Sequence, residues 1–145
     1  MGITETIARA WGWTGLVPRA VVDRNSFGNV IAVDSDGRYW RVCPENLSCA
    51  MIASNDDEYA RTRADPAFML DWAMEALFIE ALQALGPAPE GKCYCLKVPA
   101  VLGGAYAAPN VGMIALDELI SFSGHVAQQI KDLPDGAGIE AKVVR

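Results

Sequence analysis

The chain has 145 residues, the size of one ordinary domain, and 52% of them are apolar, so it can build a core without metal or disulfide staples. Twelve Lys and Arg against eighteen Asp and Glu leave a net charge of −6, which repels nucleic acid and anionic membranes and attracts a basic partner. The most apolar stretch, 67–85, is interrupted by Asp71, Glu75, Glu80 and Gln83, which argues against a membrane span. Residues 1–20 lack the apolar run of a signal peptide, so a cytoplasmic protein of one domain, 1–145, is expected.

Residues 1–16 read as a short amphipathic helix (Thr4 to Trp13) and an extension, closed by Gly15. Ala20–Val22, Val30–Val33 and Arg38–Cys43 read as a three-stranded antiparallel meander. Ser26–Asn29 is its first turn, and Asp36-Gly37 predicts a type I′ hairpin, since both residues tolerate positive φ. Pro44–Leu47 turns out of the sheet, and a polar loop follows from Ser54 to about Asp65. Asp65 as N-cap and Pro66 at the first helical position then start a helix that Gly86-Pro87 stops. This helix is apolar nearly all round, so it is expected to be central and mostly covered. Glu80 points away from the side shared by Asp71, Glu75 and Gln83, and is either peripheral or paired with a cation.

Cys93–Val98 and Met113–Leu116 read as further strands, separated by a Gly/Ala-rich loop. Asp117 is placed as the N-cap of a second main helix with an apolar stripe of Leu119, Phe122, Val126, Ile130 and Leu133. Ile139–Val144 reads as a last strand. The order implies an α+β fold with one mixed, mainly antiparallel sheet packed by two main helices.

The search for chemistry finds no catalytic set, no metal site and no cofactor site. Cys43, Cys49, Cys93 and Cys95 lack the C-x2-C spacing of a zinc knuckle and read as small buried hydrophobes, with a metal or redox pair as the alternative. His125 is the one histidine, and Ser121 and Ser123 beside it build no nucleophile–base–orienter arrangement. Asp34-Ser35-Asp36-Gly37 only begins a calcium loop. Gly103-Gly104 has no phosphate-binding signature and reads as a turn that lets backbones approach closely.

Several segments together carry a resemblance. They are Phe27-Gly28-Asn29-Val30, the run from Gly37 through Trp40 and Pro44-Glu45 to Cys49, Asp71-Trp72, Pro99 to Tyr106 with Gly103, Gly104 and Asn110, and Gln129 to Gly136 with Pro134. This series resembles the C-terminal domain of bacterial type VI secretion immunity proteins, of the kind cognate to DNase effectors. The resemblance runs from about Val17 to Val144. Some members carry a GAD-like module ahead of this domain, and none is expected here. The family brings no catalytic residue to transfer.

The resemblance implies a non-catalytic protein that binds a cognate effector toxin, a basic nuclease, and neutralises it by occlusion. The acidic residues Asp34, Asp36, Asp56, Asp57 and Glu58 are the first candidates to face the toxin. The loop from Gly103 to Asn110 is the second, with Tyr106 as an aromatic anchor or a packing residue. The alternative is a small-ligand or regulatory module with a pocket between the apolar helix and the Gly-rich loop. An enzyme or metalloprotein would hinge on Cys93, Cys95 and His125.

Overall fold

The computed structural model describes residues 2–133. The fold is α+β, but the single mixed sheet expected above resolves into two antiparallel sheets. The larger consists of β1 (Pro18–Arg24), β2 (Val30–Asp34), β3 (Tyr39–Cys43) and β4 (Ser48–Ala53), in chain order. The smaller is the pair β5 (Lys92–Leu96) and β6 (Val111–Ala115). The helices are α1 (Ile3–Trp11), α2 (Asp56–Ala64), α3 (Pro66–Ala73), α4 (Glu75–Leu85) and α5 (Leu116–Ile130). The expected strand at Ile139–Val144, and the motif residues Pro134 and Gly136, lie outside the described residues.

The period-two pattern of the meander sets the layers. Val30, Val42 and, more loosely, Trp40 point to one face, where they pack with Ile7, Trp11, Leu119 and Ile120 of α1 and α5. Arg41 and Tyr39 point to the other, where Arg41 lies over Trp72 of α3 and Tyr39 stacks on Tyr59 of α2. The central strand β2 is therefore buried at every residue. A second apolar cluster joins α4 to the small sheet through Leu77, Ala81, Tyr94, Leu96 and Val111, with Phe27 from the β1–β2 turn.

Five expectations change. The meander gains β4, because after the 3-10 turn Pro44–Asn46 the left-handed Leu47 (φ 49) sends the chain back alongside β3. The hairpin between β2 and β3 is not type I′: only Gly37 has positive φ (81), while Gly37 N donates to Asp34 O. The polar loop after Ser54 is the helix α2. The long helix from Pro66 is two helices, broken where Met74 adopts φ 45, and it is not mostly covered: Leu70 is 75% exposed and Ile79, Leu82 and Leu85 are also exposed. Asp65 does cap α3, accepting from Ala67 N, with Pro66 at the first position. Asp117 is not the cap of α5; Ala115 holds that place, and Asp117 sits in the first turn, where the helix dipole favours it.

Two glycines let elements meet. A Cβ on Gly28 (φ 72) would lie 2.5 Å from Leu119 Cδ2, so the Phe27-Gly28 turn can sit directly on α5. A Cβ on Gly104 would lie 1.8 Å from Val98 O, which confirms that this position closes the 97–110 loop by backbone approach.

Candidate functional site

The break at Met74 positions a large groove. Because α3 and α4 meet there at a left-handed residue, the two helices diverge, and a groove of about 570 Å³ opens beside the end of β3 and the Pro44–Asn46 turn. Asp71, Glu75 and Glu80 line its helical side, Glu45 lies on the turn side, and Arg41 is the one cation there among the described residues. Leu70 from α3 and Tyr106 from the Gly-rich loop, 75% and 51% exposed, contribute apolar surface to the same groove.

A hydrogen-bonded chain runs through this site. Arg41 Nη1 donates to Asp71 Oδ2 (2.6 Å), and Arg41 Nε donates to Asn29 Oδ1 (3.1 Å). Asn29, fully buried, turns its Nδ2 to both Glu45 oxygens (2.6 and 3.1 Å). Cys43 Sγ adds a donor to Glu45 Oε1 (3.1 Å). The Arg41 guanidinium also lies 5.1 Å from the Trp72 ring centre, so the cation is held in place from two sides. Arg41 thus offsets Asp71 directly and reaches Glu45 only through an amide. Among the described residues, Glu45, Glu75 and Glu80 form no ion pair. The field is felt at Tyr106, whose phenol is held above its usual range by burial and then by the charges of Glu45 and Asp71, against the opposing pull of Arg41. Glu80 is exposed, which fits the peripheral reading of that residue.

The acidic residues picked out in the sequence lie at the opposite end of the large sheet. Asp34 is 1% exposed and its carboxylate accepts from Asp36 N, Arg38 N, Arg38 Nε and Trp40 Nε1. It ties the β2–β3 hairpin together and has no free surface to present. Asp36 is exposed but paired with Arg38 (2.9 Å). Asp56, Asp57 and Glu58 form the first turn of α2, where the dipole favours them. Asn55 caps this helix by accepting from Glu58 N, and Glu58 reaches back to Ser54 N and Oγ, a reciprocal cap. Asp56 accepts from Tyr39 OH (2.7 Å). Asp57 is exposed.

The structure separates Tyr106 and Asn110. Tyr106 OH donates to Asn46 Oδ1 at the groove's edge (3.3 Å). Asn110 is spent inside its loop: Nδ2 donates to Val98 O and Ala105 O, and Oδ1 accepts from Val98 N. Of the other motif residues, Phe27, Trp72, Pro44 and Glu45 are buried, and Trp40 is half-buried with its indole N–H on Asp34.

Cys93 and Cys95 lie side by side in the core, and burial pushes their thiols up to about 12 and about 11. Burial also raises Cys43 and Cys49. All four cysteines are free, and no cluster of His, Cys, Asp and Glu suited to a metal occurs among the described residues. His125 is exposed on α5, whereas Ser123 is buried with its hydroxyl donating to Ile120 O, so the two do not meet. No described helix is long and apolar enough to cross a membrane.

The pocket expected between the apolar helix and the Gly-rich loop lies where this groove opens, but its shape was not legible: Leu70 and Glu75 carry no motif, and Met74 is neither Gly, Pro nor Asn, so nothing marks the helix break.

Comparison with known families adds one finding. The family described as T6SS immunity protein Tdi1, C-terminal, matches residues 53–127. The match begins at the end of β4 and takes in α2, α3, α4, both strands of the small sheet and most of α5, so the helical wall of the groove and Tyr106 fall inside it. No curated protein and no solved structure matches the chain.

Proposed function

We propose, because this chain belongs to the family of the T6SS immunity protein Tdi1, C-terminal, that it binds a cognate type VI effector and silences it by covering the surface the effector works with. The family match over half the chain carries this reading. The effector is taken to be a nuclease, which must present cations to bind phosphate, and the −6 charge of this chain complements such a surface. The chain acts as one binding unit, without catalysis. Thiols that burial makes harder to ionise, and a Ser123 hydroxyl turned to Ile120 O while His125 faces solvent, are in keeping with a non-catalytic role.

The exposed acidic end of the large sheet contributes by steering. Asp36, Asp56, Asp57 and Glu58 lie on the hairpin tip and the start of α2, and charges at a rim act mainly on the rate of encounter. Reversing Asp56, Asp57 and Glu58 to Lys together is expected to slow association by roughly tenfold at low salt and to leave dissociation nearly unchanged. Stopped-flow kinetics over a salt series measures both. An unchanged association rate would remove this patch from the account. Asp34 has no part in it, since its carboxylate is consumed within the hairpin.

The direct test of the function is growth. Bacteria expressing the type VI effectors of the source organism one at a time should die without the chain and, for the cognate effector, survive when the chain is co-expressed. Death in every case, with the chain present or not, would sink the immunity reading.

A further inference from the structure

We infer, resting on the immunity reading above, that the groove between α3, α4 and the Pro44–Asn46 turn is the contact surface, and that it receives a Lys or Arg side chain of the effector between the exposed Leu70 and Tyr106. The charge of the groove selects the occupant. Among the described residues four carboxylates line it against one guanidinium, and that guanidinium is already engaged by Asp71, Asn29 and the Trp72 ring. Glu45, Glu75 and Glu80 therefore remain to be met by a cation from outside the described residues. Glu45 is only 6% exposed and is held rigidly by Asn29, so its charge is presented from a low-dielectric floor, where a partner's cation gains most.

The apolar surface selects in the same direction. Leu70 and Tyr106 belong to one groove, and an aromatic beside a carboxylate suits the long aliphatic stem and charged head of Arg or Lys. A volume of about 570 Å³ accommodates such a side chain with its neighbours. The other large groove, beside α4 and β5, is lined by Arg24 and Lys92 and would repel a basic occupant.

The test uses the full chain and the cognate effector identified by the growth assay, made as an inactive variant. Glu75→Lys and Glu80→Lys together change two exposed helix positions and should leave the melting curve in place. They should weaken binding by 100-fold or more, chiefly through faster dissociation. Leu70→Lys, at a position 75% exposed, puts a like charge where the effector's cation would sit, should weaken binding by at least tenfold, and serves if the double variant fails to fold. Wild-type chain that does not bind the effector overturns the immunity reading and this inference with it. Wild-type chain that binds, with the folded groove variants binding equally well, overturns the groove alone.

Discussion

Gly124→Ala is expected to destabilise the protein by about 2 kcal/mol, a fall in melting temperature of about 6 °C, although alanine is the better helix former. Two effects oppose each other at this position. In a helix interior Ala is favoured over Gly by about 1 kcal/mol. But Gly124 lies in the middle of α5, where α1 crosses it, and a Cβ there would sit 2.3 Å from Ala10 O and 2.7 Å from Ala10 C. These are backbone atoms, so no side chain can swing aside; α1 itself must move. That movement loosens the packing of Ile7 and Trp11, both fully buried against α5. Overpacking of this kind costs about 1–3 kcal/mol and sometimes more. Thermal melts followed by circular dichroism measure the difference. A variant as stable as the wild type would mean that α1 yields freely and that the contact between the two helices holds little of the fold.

The second large effect concerns acid. Burial of Asp34 would raise its pKa, but backbone N–H groups of Arg38 and Asp36, the Trp40 indole and the Arg38 guanidinium all donate to its carboxylate and lower it to about 2, from an ordinary 3.8. The folded state thus prefers the ionised form more than the unfolded state does. The stability this supplies is fully present above about pH 4 and is lost as pH falls toward 2, because the unfolded chain takes up the proton first. A shift of this size corresponds to about 2 kcal/mol. Unfolding of the wild type by denaturant should show a falling stability over that window. In Asp34→Asn one acceptor is replaced by a donor, so the hairpin should be weakened near neutral pH by roughly 2–3 kcal/mol and the acid-dependent part should shrink. An identical pH slope in wild type and variant would mean that other carboxylates govern the acid limb.

The parts of the fold that were legible in the sequence are those with a strong local signal. The strands β1, β2 and β3 are rich in β-branched or aromatic residues bounded by turn residues, and α5 carries an uninterrupted apolar stripe. The missed elements lack such a signal. Ser48–Ala53 offers small residues and one β-branched side chain, so β4 is specified by its pairing with β3 and not by its own composition. Asp56–Ala64 has no apolar stripe, and its charges look like loop. The cue lay at its ends: Asn55 with Glu58 three residues later forms the reciprocal cap, acidic residues open the helix and Arg61 and Arg63 close it.

The site divides in the same way. Acidic clustering identified surface charge at Asp36 and Asp56–Glu58, but it could not tell that Asp34, adjacent in sequence, faces inward onto the Trp40 indole. The loop from Gly103 to Asn110 gave Tyr106 at the groove and Asn110 inside the loop, two fates for neighbours of similar exposure in the sequence pattern. The groove itself depends on Met74 accepting a left-handed backbone that β-free sequence rules reserve for Gly or Asn. Asn25 helps to hold that point, since its Nδ2 donates to Trp72 O and contacts Met74 Sδ. A tertiary contact from the first sheet turn therefore shapes a helix break far along the chain.

Titration of inhibition shows most directly whether this chain stops an effector by binding it. The purified effector's nuclease activity on duplex DNA should fall linearly as chain is added and vanish at a one-to-one ratio, with the two proteins migrating as a single complex. Full activity in the presence of excess chain, with no complex formed, would contradict the account.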